Sequence, residues 1–187
     1  MKKKAGVNLL EMIIVVAILG IVAIFAIPYA EIILVRTYEI ELENNLDLIR
    51  RALQKWRKDC EDTVKRDRGE GALVNVPNEN MYPPDLGSLS KSMPFTVYDK
   101  FGNATATFYP YPYLYKLPKD PLIGRAVWMQ YYASYSSDVN SSSTFDTGRI
   151  TPSNVVATGV FDISGHPDPT IRRGFVTAID NTNYSDW

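Results

Sequence analysis

Residues Met12 to Ala30 form a run of 19 residues without a single charge, and only one acidic side chain, Glu11, separates them from a basic start. Wound as an α-helix, the run is about 28 Å long, close to the hydrocarbon thickness of a bilayer. That length reads as a membrane span rather than as a core helix. Lys2, Lys3 and Lys4 lie ahead of it, so the positive-inside rule keeps the N-terminus in the cytoplasm and sends the rest of the chain outward. Glu11 is the anomaly. A carboxylate in a membrane helix costs about 2.5–3.5 kcal/mol at mid-bilayer, and less near an end. Such a residue calls for a neutralising partner, and with none obvious in this chain, a partner in another molecule is the natural source.

Two simpler readings account for less. A cleaved secretory signal has a shorter apolar core and a small-x-small cleavage site, which Ile24 to Ala30 does not supply. A plain single-pass anchor accounts for the span but gives Gly6 and Glu11 no purpose.

Beyond Pro28, which should kink or loosen the helix, helical periodicity continues. Ile32, Val35, Leu42, Leu46, Ile49, Leu53, Trp56 and Cys60 form one apolar stripe, with Glu39, Glu41, Glu43, Arg50, Arg51, Lys55 and Lys58 mostly off it. The pattern predicts one helix from Val7 to about Arg66, roughly 90 Å long, ended by Gly69-Glu70-Gly71. Ala72 to about Pro94 reads as loop. Phe95 to Tyr98 and Thr105 to Tyr109 read as strands around an Asp99–Asn103 turn, followed by strands at Val127–Ser136, Val155–Ile163 and Gly174–Ile179. Ser137 to Pro152 is a polar loop, and Asn181 to Trp187 a tail. The expected class is α+β: one very long N-terminal helix packed by an antiparallel sheet of three or more strands.

The N-terminal residues carry a resemblance. Lys2-Lys3-Lys4-Ala5-Gly6, then Val7 to Glu11, then the apolar run to Pro28, resembles the class III leader of type IV pilins and type II secretion pseudopilins. The basic leader ending in Gly, the Glu at the fifth mature position and the late Pro are all in register, although the usual first mature residue is Phe and here it is Val7. Tyr82-Pro83-Pro84-Asp85-Leu86-Gly87-Ser88-Leu89 and Tyr113-Leu114-Tyr115-Lys116-Leu117-Pro118-Lys119-Asp120-Pro121 are similar to the proline-rich signature of major pseudopilins. The stretches at 90–112 and 134–152 look expanded relative to that family.

The resemblance implies a pilin-like fold and a structural subunit rather than an enzyme. Residues 1–6 would be a leader, 7–30 a transmembrane and polymerisation helix, 31–68 its amphipathic continuation, and 69–187 a soluble extracytoplasmic domain. A prepilin peptidase would cut between Gly6 and Val7 in the inner membrane and methylate the new amine. The mature chain would polymerise into a homo-oligomeric filament, with an assembly platform and minor pseudopilins as partners, and push exported proteins through the outer membrane. Glu11 would then meet the amine of a neighbour's Val7, because a close pair in low dielectric attracts strongly while either charge alone is penalised. A type IV or competence pilin is the near alternative. The lack of a C-terminal Cys pair and the Lys116–Pro121 signature argue against it. A membrane-anchored binding module using the aromatic cluster Phe108 to Tyr115 is the alternative from a different class.

Val160 to Asp168 resembles the start of the loop that binds calcium in major pseudopilins. The resemblance implies calcium as cofactor, with Asp162, Ser164 and Asp168 as oxygen ligands and Asp180 in place of a later one. Pro169 to Arg173 interrupts the family pattern, and Arg172 and Arg173 would repel the ion. The competing reading is a hydrogen-bonded Asp/Ser/Pro turn. His166 fits an exposed turn, and one His with one Cys leaves little for a zinc site or a His-dependent triad. Formal net charge is −1, and loss of the three leader lysines makes it −4, so no nucleic-acid partner is expected. Cys60, the single cysteine, permits no internal disulfide and fits a buried small hydrophobe.

Overall fold

The computed structural model describes residues 8–134 and 157–187. The leader, Gly6, Val7 and nearly all of the loop expected at 134–152 lie outside the described residues. One helix, α1 (Leu9–Arg68), spans 60 residues and passes through Pro28 without interruption. It starts two residues later than the periodicity predicted because Asn8 caps it. The Asn8 side chain accepts from the Leu10 N–H at 3.3 Å, satisfying one of the free amides of the first turn. At the other end Gly69, with φ +82°, closes α1 by donating to the Lys65 carbonyl.

Four strands follow: β1 (Phe95–Tyr98), β2 (Ala104–Phe108), β3 (Trp128–Ser134) and β4 (Ala157–Gly165). Asp99 makes the β1–β2 turn, its Oδ1 accepting from the N–H groups of Phe101 and Asn103, both at 2.8 Å. The chain is α+β, as expected, but among the described residues no single sheet of three or more strands forms. Among the described residues there are two antiparallel pairs, β1–β2 and β3–β4. Pro110, Pro112, Pro118 and Pro121 fall between β2 and β3, and a residue without an N–H cannot extend a ladder. The strand expected at Gly174–Ile179 is likewise absent. Arg173 and Gly174 adopt positive φ and turn the chain, and Thr177 forms an isolated bridge with Asn183 of the tail. Between α1 and β1, the predicted loop contains short 3₁₀ turns at Glu70–Asn75, Asn78–Met81 and Leu86–Ser90.

The core lies on one side of the second half of α1. Leu42, Leu46, Ile49, Leu53, Trp56, Cys60 and Val64 are buried and pack with Val97 of β1, Phe108 of β2 and Val160 and Ile163 of β4. The buried stripe begins later than its periodicity suggests, since Ile32 stays exposed and Val35 is only partly covered. Gly159 and Gly165 let neighbouring backbone lie directly on β4. A Cβ at Gly159 would sit 2.7 Å from that of Tyr82, and one at Gly165 would collide with the Tyr184 carbonyl.

The two proline-rich signatures are anchors of this packing. The Asp85 carboxylate caps the Leu86–Ser90 turn through the Ser88 N–H at 2.9 Å, which presents Leu86 and Leu89 to the core. The Pro118 carbonyl accepts from Trp128 Nε1 at 3.1 Å, and the Lys119 carbonyl from Asn45 Nδ2 of α1 at 3.1 Å.

Cys60 is fully buried, and burial pushes its thiol up to about 12. Thiolate is the reactive form. The native protein should therefore react with maleimide or a disulfide reagent at pH 8 at least about a hundredfold more slowly than the same protein in guanidinium. Equal rates in the two states would place the thiol at the surface.

Candidate assembly interface

From Leu9 to Leu34 every large apolar side chain that is described is exposed, and nothing else among the described residues covers this arm. By length and composition the arm can cross a membrane once. A soluble monomer seldom exposes an apolar patch beyond a few hundred Å², so an arm of this kind needs lipid or other protein around it. Glu11 lies in its first turn, three residues after the cap. There a carboxylate also complements the positive end of the helix dipole. The Asn8-x-x-Glu11 spacing is that of a capping box, of which the structure shows the bond to the Asn8 side chain.

Where the arm ends, the C-terminal part of the chain is clasped to α1 at two levels. Glu39, expected to lie off the stripe, is only 1% exposed. Its Oε1 accepts from the Ile179 N–H at 2.7 Å and the Tyr184 hydroxyl at 2.9 Å, while Oε2 pairs with Arg36 at 2.9 Å. Burial, first, and then the bond to Glu39 push the Tyr184 phenol well above its ordinary range. Three helical turns on, Arg50 donates Nε to Asp162 and Nη2 to the Ile163 carbonyl, both at 2.8 Å, and reaches the carbonyl of Trp187. Both clasps fix the C-terminal segment to the helix just beyond the exposed arm.

The four oxygen donors implied for calcium are engaged separately. Asp162 serves the Arg50 clasp, and Ser164 Oγ lies 3.0 Å from the Tyr131 hydroxyl. Asp168 Oδ1 accepts from the Thr170 N–H at 2.8 Å and its hydroxyl at 2.6 Å. Asp180 Oδ1 accepts from the Thr182 N–H at 3.0 Å and its hydroxyl at 2.7 Å. The threonine bonds hold both carboxyls below their usual range. Among the described residues no three His, Cys, Asp or Glu side chains come together in a way that could hold a metal ion. The set does not fit a calcium site; it fits two Asp-Thr turns and a salt bridge. His166, partly buried, accepts from the Asp168 N–H at 3.1 Å.

The aromatic cluster divides in two. Phe108 and Leu114 are core, and the Tyr113 hydroxyl donates to Asp59 at 2.8 Å. Tyr109, Tyr111 and Tyr115 remain exposed, the first two beside a groove of about 510 Å³ that also contains Asp59, Asp62 and Arg66. Sequence reasoning missed Glu39 and Arg172 as buried charges; the partners that bury them, Ile179 and Tyr184 for Glu39 and Asp120 for Arg172, lie too far along the chain for spacing to reveal them.

No family model, curated protein or solved structure matches this chain.

Proposed function

We propose that this protein is a pilin-like structural subunit, a pseudopilin, that polymerises through its N-terminal arm into the short filament of a type II secretion system. The observation that carries the reading is the arm itself. A fully exposed apolar helix, with one acidic residue in its first turn, is continuous with the helix that carries the soluble domain. In the membrane the arm is solvated by lipid, and in a filament by the arms of other copies. Transfer from one to the other needs little change in apolar exposure, so packing and pairing set the register.

In this reading a prepilin peptidase removes residues 1–6 and leaves a methylated ammonium on Val7. A neighbour's Glu11 neutralises that ammonium within the bundle of arms. The pair fixes axial position more than it adds net stability, since both charges lose their water. Chains are extracted from the inner membrane by the assembly platform with minor pseudopilins, and the growing filament displaces exported proteins outward.

The intact mass and N-terminal sequence of protein from cells containing a prepilin peptidase test the processing step. The expected product begins at N-methylated Val7. A product retaining Met1 to Gly6 would leave a simple membrane anchor as the better account.

A further inference from the structure

The segment from His166 to Trp187 is wrapped around a cation of its own. Arg172 is completely buried, and its Nη1 donates to Asp120 Oδ2 at 2.8 Å, with neither side chain exposed at all. Its Nε donates to the Phe175 carbonyl, and the guanidinium carbon lies 4.5 Å from the centroid of the Tyr184 ring. Tyr184 in turn donates to Glu39 of α1. One continuous network thus joins the helix, the C-terminal segment and the Lys119-Asp120-Pro121 turn.

The local backbone is shaped to the same end. The Arg172 N–H donates to the Asp168 carbonyl at 3.1 Å, closing the turn that Asp168 begins. Arg173 then takes φ +54° and Gly174 φ +88°. The left-handed region is unfavourable for a non-glycine residue such as Arg173. That strain reverses the chain and brings the Phe175 carbonyl back onto Arg172 Nε. Meanwhile the carboxylates that could have gathered around an ion are spent on threonines and on Arg50.

We propose that Arg172 is the built-in cation that organises the C-terminal segment, in the role a bound divalent ion would have, so that the soluble domain folds without one. A guanidinium keeps its charge at any pH a cell offers and cannot be removed by a chelator. Its Nη2 has no partner among the described residues. The network is therefore better suited to fixing one arrangement of the segment than to adding large net stability.

Thermal melts of the full chain in detergent, with EGTA and with calcium chloride, test this. The wild type should melt at one temperature in both. Arg172→Met leaves Asp120 buried and unpaired, and should melt roughly 6–20 °C lower in both conditions. The double variant Asp120→Leu with Arg172→Met should recover much of that loss, because no lone charge is left. If Arg172→Met does not fold, the double variant and the wild-type comparison still decide. A wild-type melting temperature that rises with calcium and falls with EGTA would overturn the proposal, as would Arg172→Met melting like the wild type.

Discussion

Trp56→Ala is expected to destabilise the domain built on α1 by about 3–5 kcal/mol, the usual cost of deleting a large aromatic side chain from a core. Trp56 is 1% exposed. Its ring meets Phe108 edge-on at 5.2 Å and Phe95 at 5.7 Å, and lies tilted against Tyr113 at 5.9 Å. It therefore joins α1 to both strands of the β1–β2 pair and to the proline-rich segment after them. Losing it leaves a cavity that these rings cannot all close. For a domain of this size the melting temperature should fall by roughly 6–20 °C. Trp56→Phe is the informative companion. Trp56 Nε1 is buried without a hydrogen-bond partner among the described residues. Phenylalanine removes that unsatisfied donor while retaining most of the ring, so its loss should be well below that of alanine. Equal losses would mean that the indole nitrogen has a partner after all.

What could be read from the sequence was what depends on neighbours in the chain. The stripe from Leu42 to Cys60 follows helical spacing, and all of its members are buried. β1, β2 and their Asp99 turn were legible because alternation and turn chemistry are local. Ile32 and Val35 continue the same period but are not core, because no described part of the domain closes over the helix there. Periodicity states which face a residue occupies and is silent on whether anything covers it. Glu39 was misplaced for the converse reason. Besides the nearby Arg36, its partners Ile179 and Tyr184 lie more than a hundred residues away, and only the folded chain brings them to it. In the sequence alone Arg172 is a charge that would repel an ion. Burial against Asp120, 52 residues earlier, makes it the cation around which the segment closes. The strand expected at Gly174–Ile179 failed for the same cause, since the backbone there is committed to turning around Arg172.

Glu11→Ala is expected to abolish filaments while leaving the subunit folded and in the membrane. Glu11 is remote from the core, and the first turn of α1 keeps its Asn8 cap without it. Domain stability should therefore be unchanged. In the proposed filament the substitution leaves the Val7 ammonium of a neighbour without its counter-charge. Stranding one member of a buried pair costs about 3–5 kcal/mol, so each subunit addition should weaken roughly a hundredfold or more. Glu11→Gln keeps the shape and hydrogen-bonding capacity and removes only the charge, and it should fail almost as completely.

The decisive measurement is electron microscopy and sedimentation of the sheared surface fraction from cells producing this chain with a prepilin peptidase and an assembly platform. The wild type should yield filaments composed of the processed chain, and Glu11→Ala should yield processed subunits in the membrane with no filaments. Wild-type protein that is processed yet stays monomeric in the membrane, or Glu11→Ala filaments as abundant as wild type, would contradict assembly through the charged, apolar arm.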